Sequence, residues 1–207
     1  MRLLFLLAFS LSAAETAPSL PARHLNVPNV RQATGYSCGA AALMAALTYW
    51  GVYDGGEAKL AGLLGTDPEN GTPVTALLDV ARRFEVEAEG REAMTTADLR
   101  AALAKGDTVI LDIQAWAGEK GAPLRGAQWR ERWEDGHYVV LIAMDEANAY
   151  FMDPSVLPGY GWLPLDELPE RWRDYDGKGR SVRRYRNFGL IIRGKKPADP
   201  PVLTRID

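Results

Sequence analysis

One cysteine, Cys38, and two histidines, His24 and His137, are all that 207 residues offer of the two side chains most used to bind transition metals. A lone cysteine makes no intrachain disulfide. These three residues have no recognisable zinc spacing, so neither a metal nor any other cofactor is expected. Neither sign of charge prevails: 24 basic against 27 acidic side chains leave a net charge of −3, which gives no reason to expect nucleic acid or an anionic membrane as partner. Runs of transmembrane length are missing as well. Leu3–Leu11 is too short to span a bilayer, and no membrane span is expected in the mature protein. No internal repeat or low-complexity linker divides the chain, and its 47% hydrophobic content suits a single sizeable core.

What the amino terminus does have is order. Met1-Arg2, the apolar run Leu3–Leu11 and the small residues Ser12-Ala13-Ala14 follow the sequence of a secretory signal peptide, so residues 1–14 are expected to be removed on export to the periplasm or extracellular space. Residues 15–23 read as a flexible lead-in, 24–194 as the folded domain and 195–207 as a loose tail. Export sharpens the question of Cys38, since exported cysteines normally pair. A buried inert thiol, an intermolecular disulfide and lipid attachment are the bland alternatives, the last disfavoured by the distance from the cleavage site.

Cys38 stands in Gln32-Ala33-Thr34-Gly35-Tyr36-Ser37-Cys38-Gly39, directly before the apolar run Ala40–Trp50. That run is apolar on nearly every side, as in a helix buried through the centre of a fold, with Ser37 as its N-cap and Gly51 as its stop. Backbone N–H groups and the positive end of a helix dipole favour a thiolate over a thiol at such an entrance. Cys38 is therefore a candidate nucleophile, and Gln32 a candidate amide donor. Further helices are expected at Glu57–Leu64, from Pro73 to Phe84 with Thr72 as N-cap, and from Thr95 to Gly106 with Asp98 closing a capping box.

Beyond Gly106 the pattern changes to strands, at Thr108–Ile113, His137–Met144, Ala149–Met152 and Phe188–Ile192. Asp145–Asn148 makes the middle two a hairpin. Helices first and sheet second argue for an α+β architecture with an antiparallel sheet. His24 lies in the lead-in, where solvent exposure is the simplest account. His137 opens one hairpin strand and Asp153 ends the other, so both reach the same sheet edge and Asp153 could accept a hydrogen bond from His137. The loop 116–134, with Trp116, Trp129 and Trp133, is either a cleft wall or a satellite core, and 166–180 reads as a short helix followed by a polar loop.

A thiol at a helix entrance, an imidazole, an orienting carboxylate and an amide are the parts of a Cys-His-Asp acyl-transfer site. Gln32…Ser37-Cys38-Gly39-Ala40-Ala41, Asp135-Gly136-His137-Tyr138-Val139-Val140 and Tyr150-Phe151-Met152-Asp153-Pro154 also resemble the three motifs of papain-like cysteine peptidases typified by the bacteriocin-exporter leader (double-glycine) peptidases. The resemblance runs from about Asn26 to Asp153. It implies a two-part papain-like fold, with the nucleophile Cys38 at a helix N-terminus packed on an antiparallel sheet that carries the base His137 and the orienting Asp153. Gln32 would serve the oxyanion hole, and a peptide or protein would be the substrate. Two departures stand out: the export signal replaces a fused transporter, and Ser37 stands where many exporter peptidases have aspartate. Double-glycine specificity therefore does not carry over. Acyl transfer to an amine through the same thioester, or peptide binding without turnover, remain the alternatives. Oligomeric state is left open.

Overall fold

The computed structural model describes residues 17–116, 124–156, 159–177 and 181–199. The expected signal peptide, the tail beyond 199 and residues 117–123 of the tryptophan-bearing loop lie outside the described residues. In chain order the elements are α1 (Cys38–Tyr49), α2 (Glu57–Leu64), α3 (Val74–Ala81), β1 (Glu87–Arg91), α4 (Thr96–Lys105), β2 (Thr108–Gln114), a 3-10 segment (Gly126–Glu131), β3 (Gly136–Met144), β4 (Asn148–Met152), β5 (Tyr160–Pro164), α5 (Leu168–Arg171), β6 (Arg173–Asp176), β7 (Arg183–Arg186) and β8 (Gly189–Arg193).

Alanine-rich α1 has strong helix propensity, and its small side chains let it lie close to its neighbours. Leu43 and Leu47 on it are fully buried, each contributing about 1.5–3 kcal/mol of hydrophobic stabilisation. Close approach also explains Gly39: a Cβ there would fall 2.6 Å from Cβ of Thr72. At the far end the Trp50 indole N–H donates to Thr108 Oγ1 at 3.0 Å and to the Ile192 carbonyl at 3.1 Å, which pins the helix to β2 and β8. Gly51 follows at φ +68, the left-handed turn that stops α1.

Six strands form one antiparallel sheet in the order β1-β8-β2-β3-β4-β5, and β6 and β7 make a separate two-stranded ribbon. The large sheet is covered on both sides. Ile110, Tyr138, Val140 and Ile142 face α1–α3, whereas Val109, Leu111, Val139 and Leu141 pack with Leu99 of α4, Leu168 of α5 and Trp172. Burial on both faces accounts for the nearly continuous apolar sequences of β2 and β3, where a one-sided sheet would alternate.

Several local expectations are corrected. Pro73, not Thr72, is the N-cap of α3, with extended backbone at φ −63 and ψ 137. The cap interaction comes from across the fold: Val74 N–H donates to the Asp176 carboxylate at 3.0 Å. Thr72 instead pairs its hydroxyl with that of Thr66 at 2.8 Å and accepts the Tyr138 hydroxyl on its carbonyl at 3.0 Å. Ser37 is the N-cap residue of α1 as expected, but its side chain makes no cap bond; its Oγ accepts from Thr34 N–H at 3.0 Å within the preceding turn. The 166–180 region contains strand β6 after its short helix. His24 is half-buried and sits with Nδ1 2.8 Å from the Pro21 carbonyl. The α4 box is as expected, with Thr95 and Asp98 exchanging hydrogen bonds and Gly106 ending the helix at φ +82.

Candidate active site

Cys38 is the first residue of α1 and is half-buried. Its turn is closed by Thr34 and Ser37, so the thiol emerges where the helix N–H groups begin. His137, the second residue of β3, is only 4% exposed, and its Nε2 lies 2.7 Å from Asp153 Oδ1. The β3–β4 hairpin creates this contact, as the sequence pattern anticipates, by bringing the start of one strand beside the end of the other. With Nε2 engaged, Nδ1 is the nitrogen left for Cys38, which is near enough to raise the imidazole's proton affinity.

The electrostatics favour a charged imidazole. Burial alone pulls the His137 pKa down, but the Asp153 and Cys38 hydrogen bonds, together with the negative charges of both groups, raise it to about 9. Asp153 responds in the opposite sense: burial pushes it up, yet the hydrogen bond and charge of His137 and the Ser155 donors hold it below its ordinary value.

Ser155 is a site residue that sequence reading missed. Its backbone N–H and hydroxyl each donate to Asp153 Oδ1 at 2.8 Å, and Oγ is 3.2 Å from His137 Nε2. The signal was present in Asp153-Pro154-Ser155, because an aspartate commonly accepts from the backbone N–H two residues on. Trp116, expected in a cleft wall or a satellite core, meets the imidazole itself. Its ring stands edge-on to the imidazole, 5.6 Å between centroids at 64°. It holds φ at +60, a strained value for a bulky residue, and is 49% exposed.

Gln32 is joined to this group through its backbone, whose N–H donates to the Pro154 carbonyl at 3.0 Å. Its Nε2 donates to the Thr34 carbonyl at 2.7 Å, and its Oε1 is buried without a partner. An amide nitrogen has two N–H donors, so one remains after the Thr34 contact. Cys38, His137 and Asp153 thus form a connected group, and Gln32 joins it through its backbone and the Cys38 turn.

A cleft of about 280 Å³ opens at Cys38 and is bordered by Tyr36, Asn70, Trp133, Asp174 and Tyr175. Behind the imidazole, a second of about 190 Å³ touches Trp116, Asp153, Trp162 and Arg171. The loop expected as wall or satellite core is both: Trp116 and Trp133 face these clefts, whereas Trp129 is buried beneath the Arg171 guanidinium, 4.0 Å from its ring centroid. Larger clefts of about 480 and 290 Å³ lie elsewhere and contain no candidate nucleophile. Among the described residues there is no group of three His, Cys, Asp or Glu side chains able to hold a metal, and no helix long and apolar enough to cross a membrane.

The Peptidase_C39 like family matches residues 24–179. An uncharacterized protein of Methanothermobacter marburgensis is 34% identical over 131 residues, covering 61% of this chain and 71% of that protein. Among solved structures, a double glycine motif protease from an AMS/PCAT transporter, in complex with the leader peptide, has a TM-score of 0.57 at 19% identity, covering 86% of this chain and 96% of its own. A C39-like peptidase from Bacillus anthracis gives 0.59 at 17% identity, over 83% and 96% of the two chains. The peptidase domain of Streptococcus ComA gives 0.57 at 14% identity, over 80% and 97%. At these identities the structural likenesses establish the fold, a helical part packed on an antiparallel sheet.

Proposed function

This chain belongs to the Peptidase_C39 like family, and from that premise we propose that it is an exported cysteine peptidase acting through Cys38, His137 and Asp153. The observation that carries the reading is the 2.7 Å contact between His137 Nε2 and Asp153 Oδ1, which leaves the opposite ring nitrogen for the thiol. Cys38 attacks the peptide carbonyl as a thiolate, and His137, protonated at neutral pH, gives its Nδ1 proton to the departing amine. Water, deprotonated by the now neutral imidazole, then hydrolyses the thioester. Charge on the tetrahedral oxygen is met by the Cys38 N–H and by the second N–H of Gln32 Nε2, the first being held by Thr34. Asp153, fixed by Ser155, keeps the ring oriented and stabilises its charge.

Export belongs to the same proposal and rests on Met1-Arg2, Leu3–Leu11 and Ser12-Ala13-Ala14. Amino-terminal sequencing of protein from its native host is expected to begin near Glu15; an intact Met1 on cytoplasmic protein contradicts it. The chemistry is tested with a mixed peptide substrate library read by mass spectrometry. Wild type is expected to generate new peptide termini and folded Cys38→Ala none, whereas cleavage by the variant at the wild-type rate ends the thiol mechanism.

A further inference from the structure

Alternation along the β6–β7 ribbon gives it two unlike faces. Asp174 and Asp176, with their cross-strand partners Tyr185 and Arg183, share one face, and Arg173, Tyr175, Arg184 and Arg186 share the other. The first face points inward: Asp176 meets Val74 N–H, and Tyr185 is buried in the core beneath α1–α3. Asp174 is thereby brought to the cleft that contains Cys38.

Its carboxylate is built into place. Gln114 Nε2 lies 3.4 Å from Oδ1, and Gly136 leaves room for Oδ2, since a Cβ at 136 would lie 1.9 Å from that oxygen. Behind it stands Asp112, 4% exposed, on the face of β2 that meets α1 and opposite Tyr138. Burial, together with the nearby Asp174 and Cys38, holds the Asp112 pKa well above the ordinary carboxylate range, and its Oδ1 has no hydrogen-bond partner. Burial raises Asp174 to about 6, partly offset by the Tyr175 N–H and by Asp112, which leaves it ionised at neutral pH. The groups facing it are Asp112 and Gln114 on β2, Tyr138 on β3, Cys38 on α1 and Asp176 on its own strand, and none is cationic. Glu69 and Glu134 supply the remaining charged lining, and no lysine or arginine borders the cleft among the described residues.

A largely buried carboxylate without a counter-charge is costly. Tyr36 and Tyr175 border the same cleft with aromatic rings of the kind that suits the stem and head of a basic side chain, whereas Trp133 already carries the guanidinium groups of Arg173, Arg184 and Arg186 at 5.2, 5.1 and 5.0 Å from its ring centroid. We propose that Asp174 determines specificity by receiving a lysine or arginine side chain of the peptide substrate next to the scissile bond. This inference rests on the peptidase reading of the Cys38 cleft.

The test measures binding, so that it does not depend on turnover. Fluorescence anisotropy of Cys38→Ala with peptides differing only in lysine, arginine, norleucine or glutamate at each scanned position is expected to reveal one position where a basic residue binds roughly tenfold tighter than norleucine, the scale of one charge pair in a partly solvated cleft. Adding Asp174→Asn is expected to erase that preference. With Asp174 intact, the preference is expected to fade as pH drops through about 6, a measurement that decides the matter if the double variant does not fold. No basic preference at any position, or one retained after Asp174→Asn, overturns the proposal. Preferential binding without cleavage by wild type would end the peptidase reading and with it the specificity role, leaving Asp174 only as a receptor for a basic side chain; cleavage of neutral peptides with no basic preference would overturn this proposal and leave the peptidase reading standing.

Discussion

Replacing Asp153 with asparagine keeps an oxygen acceptor for His137 but removes the charge, which makes the substitution a direct reading of the site's electrostatics. His137 is raised to about 9 against burial, from an ordinary value near 6.5. At about 1.4 kcal/mol per tenfold in proton affinity, the fold favours imidazolium by roughly 3 kcal/mol. Asp153 supplies one of the two hydrogen bonds and one of the two charges responsible, with Cys38 supplying the others. Because the chain has only two histidines, their ring protons can be followed individually by NMR, with His24→Asn giving the assignment. The wild-type His137 midpoint is expected near 9 and the Asp153→Asn midpoint at least one pH unit lower. The linkage has a definite sign. A histidine whose pKa is raised by folding stabilises fully below about 6.5, and that contribution is lost as pH rises through about 9, so alkaline destabilisation is expected in wild type and is reduced in Asp153→Asn. The lowered Asp153 pKa acts on the other side: its contribution is present above the ordinary aspartate range and is lost as pH falls through its folded value. A wild-type midpoint at 6.5, or one that ignores Asp153→Asn, refutes the ion-pair account.

Ser155→Ala removes a hydroxyl donor from Asp153 and is expected to slow turnover roughly tenfold, within the range for a hydrogen bond to a charged group, with iodoacetamide as the control for thiol access. Gln32→Ala is expected to leave iodoacetamide alkylation unchanged and to slow peptide turnover by about 10²–10³, as for one oxyanion donor; equal turnover removes Gln32 from that role. Gly136→Ala forces a methyl group against Asp174 and is expected to cost about 1–3 kcal/mol in a denaturant melt. Asp176→Ala uncaps α3 and is expected to cost about 1 kcal/mol in the same assay.

The elements legible in the sequence are those whose local and global demands agree. Alanine-rich α1, the boxed start of α4 and the apolar β2–β3–β4 run each state their own structure, and the His137–Asp153 contact follows from hairpin geometry alone. What escaped is held by partners distant in sequence. Glu87–Arg91 is too polar to read as a strand and exists because β8 pairs with it at the sheet edge, where charge discourages further pairing. The arginine-rich β7 similarly pairs with β6. The α3 cap is Asp176, one hundred and two residues away, which no local capping rule can find. Ser155 escaped because Asp153-Pro154 already read as a turn, and Asp174 because its significance lies in Asp112 and Cys38, both far along the chain.

The central claim, that Cys38 is a nucleophile activated by His137, is tested most directly by intact-mass kinetics with a peptide-linked thiol-reactive warhead. The chain has one thiol, so a single cysteine adduct must be at Cys38. The account predicts rapid single labelling of wild type at neutral pH, and labelling slower by roughly 10² or more in folded His137→Ala, as for loss of a general base. Equal rates in the two proteins, or a wild-type rate no faster than that of a free thiol in solution, contradict it.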